Sequence, residues 1–188
     1  LTLKDGGILE YGASGALGAD ASLFIADQGE IAVNNGVSLT QDINVAGATN
    51  SVLSFENGTG GIVSGPIILN ADSNLTIGLR NWYDHGGVTA GTVSGVISGS
   101  GGLTVSPGTG SGGTLTLTGS NTFTGNVTVN AATLYANPGN GASNRALSFV
   151  SAITVNNGGT LRAGLNGLFG WDGSQTRQIT VNSGGTMT

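Results

Sequence analysis

Four adjacent residues, Trp82, Tyr83, Asp84 and His85, hold the densest run of chemically versatile side chains in this 188-residue sequence. Two aromatic rings beside a carboxylate can stack on a sugar ring and hydrogen-bond its hydroxyls. The other reading of the segment is a loop whose aromatics lie over the outer wall of the molecule and hide apolar surface. His85 is the only histidine and there is no cysteine, so with Asp84 beside it a metal would find at most two ligands. No metal site is expected. Glu10, Glu30 and Glu56 each stand alone in the sequence, and Arg80, Arg145, Arg162 and Arg177 share no repeat phase with paired acids. Glycosidase and lyase chemistry needs clustered carboxylates, or carboxylates with a cation, on one face. No catalytic set is therefore expected, the chain is read as no enzyme, and no cofactor is implied. Asn57-Gly58-Thr59, Asn74-Leu75-Thr76 and Asn126-Val127-Thr128 fit the N-glycosylation triplet, a number that chance supplies in so Asn- and Thr-rich a chain. The calcium-binding nonapeptide GGxGxD is missing.

The elements that would position any such residue are short. Leu103-Thr104-Val105, Leu115-Thr116-Leu117 and Val127-Thr128-Val129 recur at intervals of twelve, with Gly, Asn and Ser between them. Alternation of period two puts apolar side chains on one strand face and hydroxyls on the other. Strands this brief need stacked copies of themselves. Val105, Val129, Val155 and Val181 follow one another at intervals of 24, 26 and 26, and the interval from Val45 to Leu69 is again 24. A repeat of this size marks a solenoid. The expected fold is all-β, a parallel β-helix with three short strands per coil of about 24 residues.

One sheet is expected to take these triplets, a second Leu53, Leu75, Leu134, Leu161 and Met187, and a third Leu115-Leu117 with counterparts around Leu165 to Phe169. Between Leu69 and Val105 the interval is 36, which predicts an inserted loop over 80–91. Phe169 and Trp171 are expected to cover the coil. Asn34, Asn70, Asn130, Asn156 and Asn182 each follow an inward apolar residue. There Asn suits the left-handed backbone of a corner, and stacked amides can hydrogen-bond along the column. Outward Thr ladders bind ice when regular and flat. Here the matching positions hold Asn44, Ile68 or Thr154, so Thr is expected to be β-branched strand filler.

Composition narrows the class. Thirty-six glycines with 8% charged and 5% aromatic residues are unlike a mixed globule. A hydrophobic share of 38% is too high for a disordered linker, and glycine without a G-X-Y period excludes collagen. Five cations and a net charge of −5 exclude a phosphate-backbone partner, so no nucleic acid is expected. No run of 18 apolar residues spans a membrane. The lack of cysteine suits a stacked rod that needs no disulfides. No signal peptide is visible, and the chain starts and ends within strand patterns that carry no cap signature. It reads as a segment of a larger array, 1–188 being one solenoid whose partners are flanking coils or, end to end, other copies.

Residues 95–134 resemble the autotransporter-associated β-strand repeat, also called the passenger-associated transport repeat. The resemblance rests on Gly102-Leu103, on Gly113-Thr-Leu-Thr-Leu-Thr-Gly-Ser-Asn-Thr-Phe-Thr-Gly125, and on Val127-Thr-Val-Asn-Ala-Ala-Thr-Leu134. Phe123 stands for the motif's aromatic and Ala132 for a glycine, while ITVNNGGTL and ITVNSGGTM extend the echo to the C-terminus. It implies a right-handed parallel β-helix in large bacterial surface or secreted proteins. The expected role is a passenger segment serving as rod, stalk or adhesive spacer and folding stepwise during secretion. Expected alternatives are a carbohydrate-binding or polysaccharide-degrading β-helix and an end-to-end filament unit. An extracellular or cell-surface location follows from the same likeness, and a surface glycan is the candidate partner of the Trp82, Tyr83 and Asp84 side chains.

Overall fold

The computed structural model describes residues 1–18, 20–47, 49, 51–56, 58–80, 90–108, 112–137, 146–164 and 177–188. All regular structure among them is strand, and every strand pair is parallel. The chain winds past three faces in turn. The first face stacks β1 (Thr2–Leu3), β3 (Ser22–Ile25), β6 (Asp42–Val45), β9 (Ile67–Leu69) and β12 (Ile97–Gly99). On the second face eight strands run in order: β2 (Ile8–Tyr11), β4 (Glu30–Asn34), β7 (Ser51–Glu56), β10 (Asn74–Arg80), β13 (Gly102–Pro107), β15 (Val127–Val129), β17 (Ala152–Val155) and β19 (Gln178–Val181). The third holds β5 (Ser38–Leu39), β8 (Gly61–Val63), β11 (Ala90–Val93), β14 (Thr114–Leu117), β16 (Thr133–Ala136), β18 (Thr160–Ala163) and β20 (Thr186–Met187). This is a parallel β-helix with three strands per coil. Eight rungs at roughly 4.8 Å make the second face about 34 Å long.

The core is a set of vertical columns. Leu9, Ile31, Leu53, Ile77, Val105, Val129, Val155 and Val181 lie rung upon rung in one register through the second face. Leu39, Val63, Val93, Leu117 and Ala136 do the same on the third face, and Leu3, Ile25, Val45 and Leu69 on the first. Most of these side chains are fully buried, since period-two alternation sends them inward at every level. Phe55 needs special room: a Cβ at Gly91 would lie 2.2 Å from its ring and one at Gly61 2.8 Å away, so both facing rungs are glycine.

The stacking of Val129, Val155 and Val181 is as expected, but the sheets sort differently. Val45 and Leu69 belong to the first face and Val105 to the second, so the interval of 36 compares two faces. Within single columns the interval from Ile77 to Val105 is 28 and that from Val63 to Val93 is 30, a surplus of four to six over 24. The segment 81–89 that would carry the surplus lies outside the described residues. Leu53 and Leu75 are on the second face, whereas Leu134, Leu161 and Met187 share the third with Leu115. All three faces demand the same inward aliphatic alternation, so a triplet's composition does not reveal its face.

Corners follow turn chemistry. The Gly159 and Gly185 amides donate to the carbonyls of Asn156 and Asn182, with Gly158 (φ 72°) and Gly184 (φ 79°) at the third turn position. Equivalent left-handed positions are held by Gly36, by Ala131 and, at the other corner, by Gln28 and Asp72. The Asn residues do not adopt the left-handed conformation; it falls further along each turn. At the first level a turn replaces the third strand. There the buried Tyr11 hydroxyl donates to Gln41 Oε1 (3.3 Å), and Gln41 Nε2 donates to the Gly18 carbonyl (2.6 Å).

Candidate functional site

Three groups of polar side chains stand on the outer wall, and the coil places each. The first lies on the second face near its N-terminal levels. Arg80, at the end of β10, donates from Nη1 to both carboxylate oxygens of Glu30, at 2.8 and 3.1 Å. Ser54, on the rung between them, donates to Glu30 Oε1 (2.7 Å). Glu56 sits beside Arg80 in register, with Asn34 on its other side. Asn34 in turn donates to Glu10 (3.0 Å). The carboxylates that look isolated in sequence are thus gathered on one wall. A signal was present: Glu10 to Asn34, Glu30 to Ser54 and Glu56 to Arg80 all share the coil's own interval of 24.

Glu30 and Glu56 are only 7% and 4% exposed. Glu30 is satisfied by Arg80 and Ser54. Among the described residues neither carboxylate oxygen of Glu56 has a hydrogen-bond partner. Burial pushes the Glu56 carboxyl above the ordinary carboxylate range, and the charges of Glu30 and Glu10 push the same way. Ser54 and Arg80 oppose this, but the single Ser54 hydroxyl proton is already given to Glu30. The wall therefore pairs an ion-bridged carboxylate with one whose pKa burial raises. Among the described residues no three His, Asp or Glu side chains form a metal site.

The second group is a pair of ladders on the same face, further along the axis. Thr76, Thr104, Thr128, Thr154 and Thr180 form one outward column. Asn44 and Ile68, expected from sequence to interrupt it, lie on the first face. The row is regular over five rungs, as in-register stacking of a copied triplet requires. Beside it Asn156 donates to Asn130 and Asn182 to Asn156, both at 2.7 Å, the amide ladder expected at these corners. Asn34 and Asn70 are not part of it. On the third face Arg162 stacks over Tyr135, 4.6 Å from the ring centre.

The third is a trough of about 530 Å³ at the corner between the first and second faces. It is lined by Ser73 and Asn74, then Ser100, Gly101 and Gly102, then Thr124, Gly125 and Asn126. Thr128 and Ser151 also line it, and among the described residues no charged group does.

Trp82, Tyr83, Asp84 and His85 lie outside the described residues, as do Arg145, Phe169 and Trp171. No family model matches the chain, and no curated protein or solved structure matches it either.

Proposed function

We propose that the chain is a structural passenger segment of a bacterial cell-surface or secreted protein, a rod that spaces or presents other parts and folds coil upon coil. One observation carries this reading: a single aliphatic column runs through all eight levels of the second face, each strand bonded only to the coils above and below. Such a solenoid grows by adding one repeat to a formed neighbour, which suits folding as the chain emerges from a membrane. The location is tested by labelling intact producing cells with an antibody raised against the chain. The proposal requires labelling without permeabilisation; labelling that needs permeabilisation overturns it.

A second reading, a polysaccharide-degrading β-helix, draws on the Glu30, Glu56 and Arg80 cluster. A carboxyl of raised pKa beside one held in an ion pair is similar to the pairing that acid–base cleavage of glycosidic bonds employs. Against it, both carboxylates are buried and Glu30 is fully engaged. Assays on acidic and neutral polysaccharides separate the two: turnover lost in Glu56→Gln would replace the rod reading with the enzymatic one.

A further inference from the structure

We propose that the trough between Ser73 and Ser151 is a binding site for a neutral, linear glycan lying along the rod axis. Its floor is the Gly101–Gly102 pair and Gly125, and its ends are Ser73 with Asn74 on one side and Ser151 on the other. Those ends are three rungs apart, about 14 Å. Asn74 and Gly102 share a register, and Gly102 lies one rung from Asn126, because Leu103 pairs with Val127. Asn74 and Asn126 therefore stand on the rungs either side of Gly102, where a Cβ would lie 2.8 Å from Asn74 Oδ1.

The polar groups divide by role. Ser73 Oγ donates to the Asn70 carbonyl (2.7 Å), Ser151 Oγ to the Thr124 carbonyl (2.6 Å), and Asn74 is held by Thr104 (3.2 Å). These fix the rim. Ser100, Thr124, Asn126 and Thr128 line the same trough, and their side chains have no partner among the described residues. Three hydroxyls and an amide, each able to donate and accept, present a neutral mixed surface. That matches the vicinal hydroxyls of a sugar, which also donate and accept.

The same chemistry excludes competitors. Among the described residues no cation lines the trough to hold a phosphate or a uronate. The Gly101 and Gly102 amides are committed to the carbonyls of Leu69 and Ser73, so these two offer no backbone nest for an anion. Strand addition by a peptide requires an open sheet edge, and here the neighbouring strands are already paired. Glycan binding here is independent of the rod reading: a failed glycan test leaves the surface-labelling result untouched, and the reverse holds.

The test is an amide-shift titration of the ¹⁵N-labelled 188-residue chain. The probes are cellohexaose, maltohexaose, laminarihexaose and mannohexaose, with hexagalacturonate as the charged comparator. The expected result is that at least one neutral hexasaccharide shifts the amides of Gly101, Gly102, Gly125 and Asn126. Asn126→Ala, which removes an exposed amide with no internal partner, should weaken that binding about tenfold without moving the unfolding midpoint. Gly102→Val should abolish it by displacing the Asn74 amide from the trough wall, and Asn126→Ala alone decides the matter if that variant does not fold. The proposal is overturned if none of the neutral probes shifts these amides at millimolar concentration. It is equally overturned if shifts survive Asn126→Ala undiminished, or if hexagalacturonate binds there as tightly.

Discussion

The second face carries ladder strands at all eight levels, whereas the first stops at β12 and is continued by Asn121–Thr124 and Ala146–Val150 without strands. The tube stays closed all the same. Thr122 and Phe123 both donate to the Ile97 carbonyl, and Thr124 to that of Gly99. Asn121 does what a strand residue would do: Oδ1 accepts from the Ile97 amide (2.9 Å) and Nδ2 donates to the Ala146 carbonyl (3.0 Å). Phe123, 1% exposed, belongs to the hydrophobic core. One wall is thus held by repetition and the other by two particular side chains. Repetition spreads its stabilisation over many rungs, while the substituted wall concentrates it.

The difference yields graded predictions, each read from urea unfolding of the variant. Phe123→Ala should cost the most, about 3–5 kcal/mol, because a buried aromatic leaves a cavity with nothing to collapse into it. Asn121→Ala should cost about 2–4 kcal/mol by orphaning one buried N–H and one buried C=O. On the repetitive wall, Asn156→Ala removes two amide contacts at a half-buried position and should cost only about 1–2 kcal/mol. An Asn156→Ala loss equal to that of Asn121→Ala would erase the contrast.

The smallest effect has the opposite sign. Glu56 is held above the ordinary value of 4.5, so between that value and its folded-state one the folded chain binds the extra proton. Its contribution to stability therefore falls as pH rises through this window. Glu56→Gln should raise the unfolding temperature slightly at pH 7 and not at pH 4. Thermal melts at the two values check it, and equal shifts at both would refute the burial argument.

The β-helix and the Val129, Val155 and Val181 column were legible because the tetrapeptides 127–130, 153–156 and 179–182 are near-copies in a constant register. Face assignment was less so. The interval from Leu115 to Leu134 is 19 and that from Val63 to Val93 is 30, so corner length varies while strand composition does not. That also hid the Thr76 to Thr180 ladder behind Asn44 and Ile68. The Glu30, Glu56 and Arg80 cluster was hidden because its members are far apart in sequence, although the offsets that join it are those of the coil. Asn121 was visible as part of a motif, but its bridging role depends on where Ala146 returns.

Dipolar distances between spin labels on single-cysteine pairs test the stacking most directly, since the chain has no native thiol. With one label at Thr180, partners at Thr76, Val52 and Ile8 occupy the fourth, fifth and seventh rungs away in one column. Backbone separations of about 19, 24 and 34 Å, rising by one rung spacing per coil, are the result required. Separations that do not grow with coil number would show that these positions share no common tube.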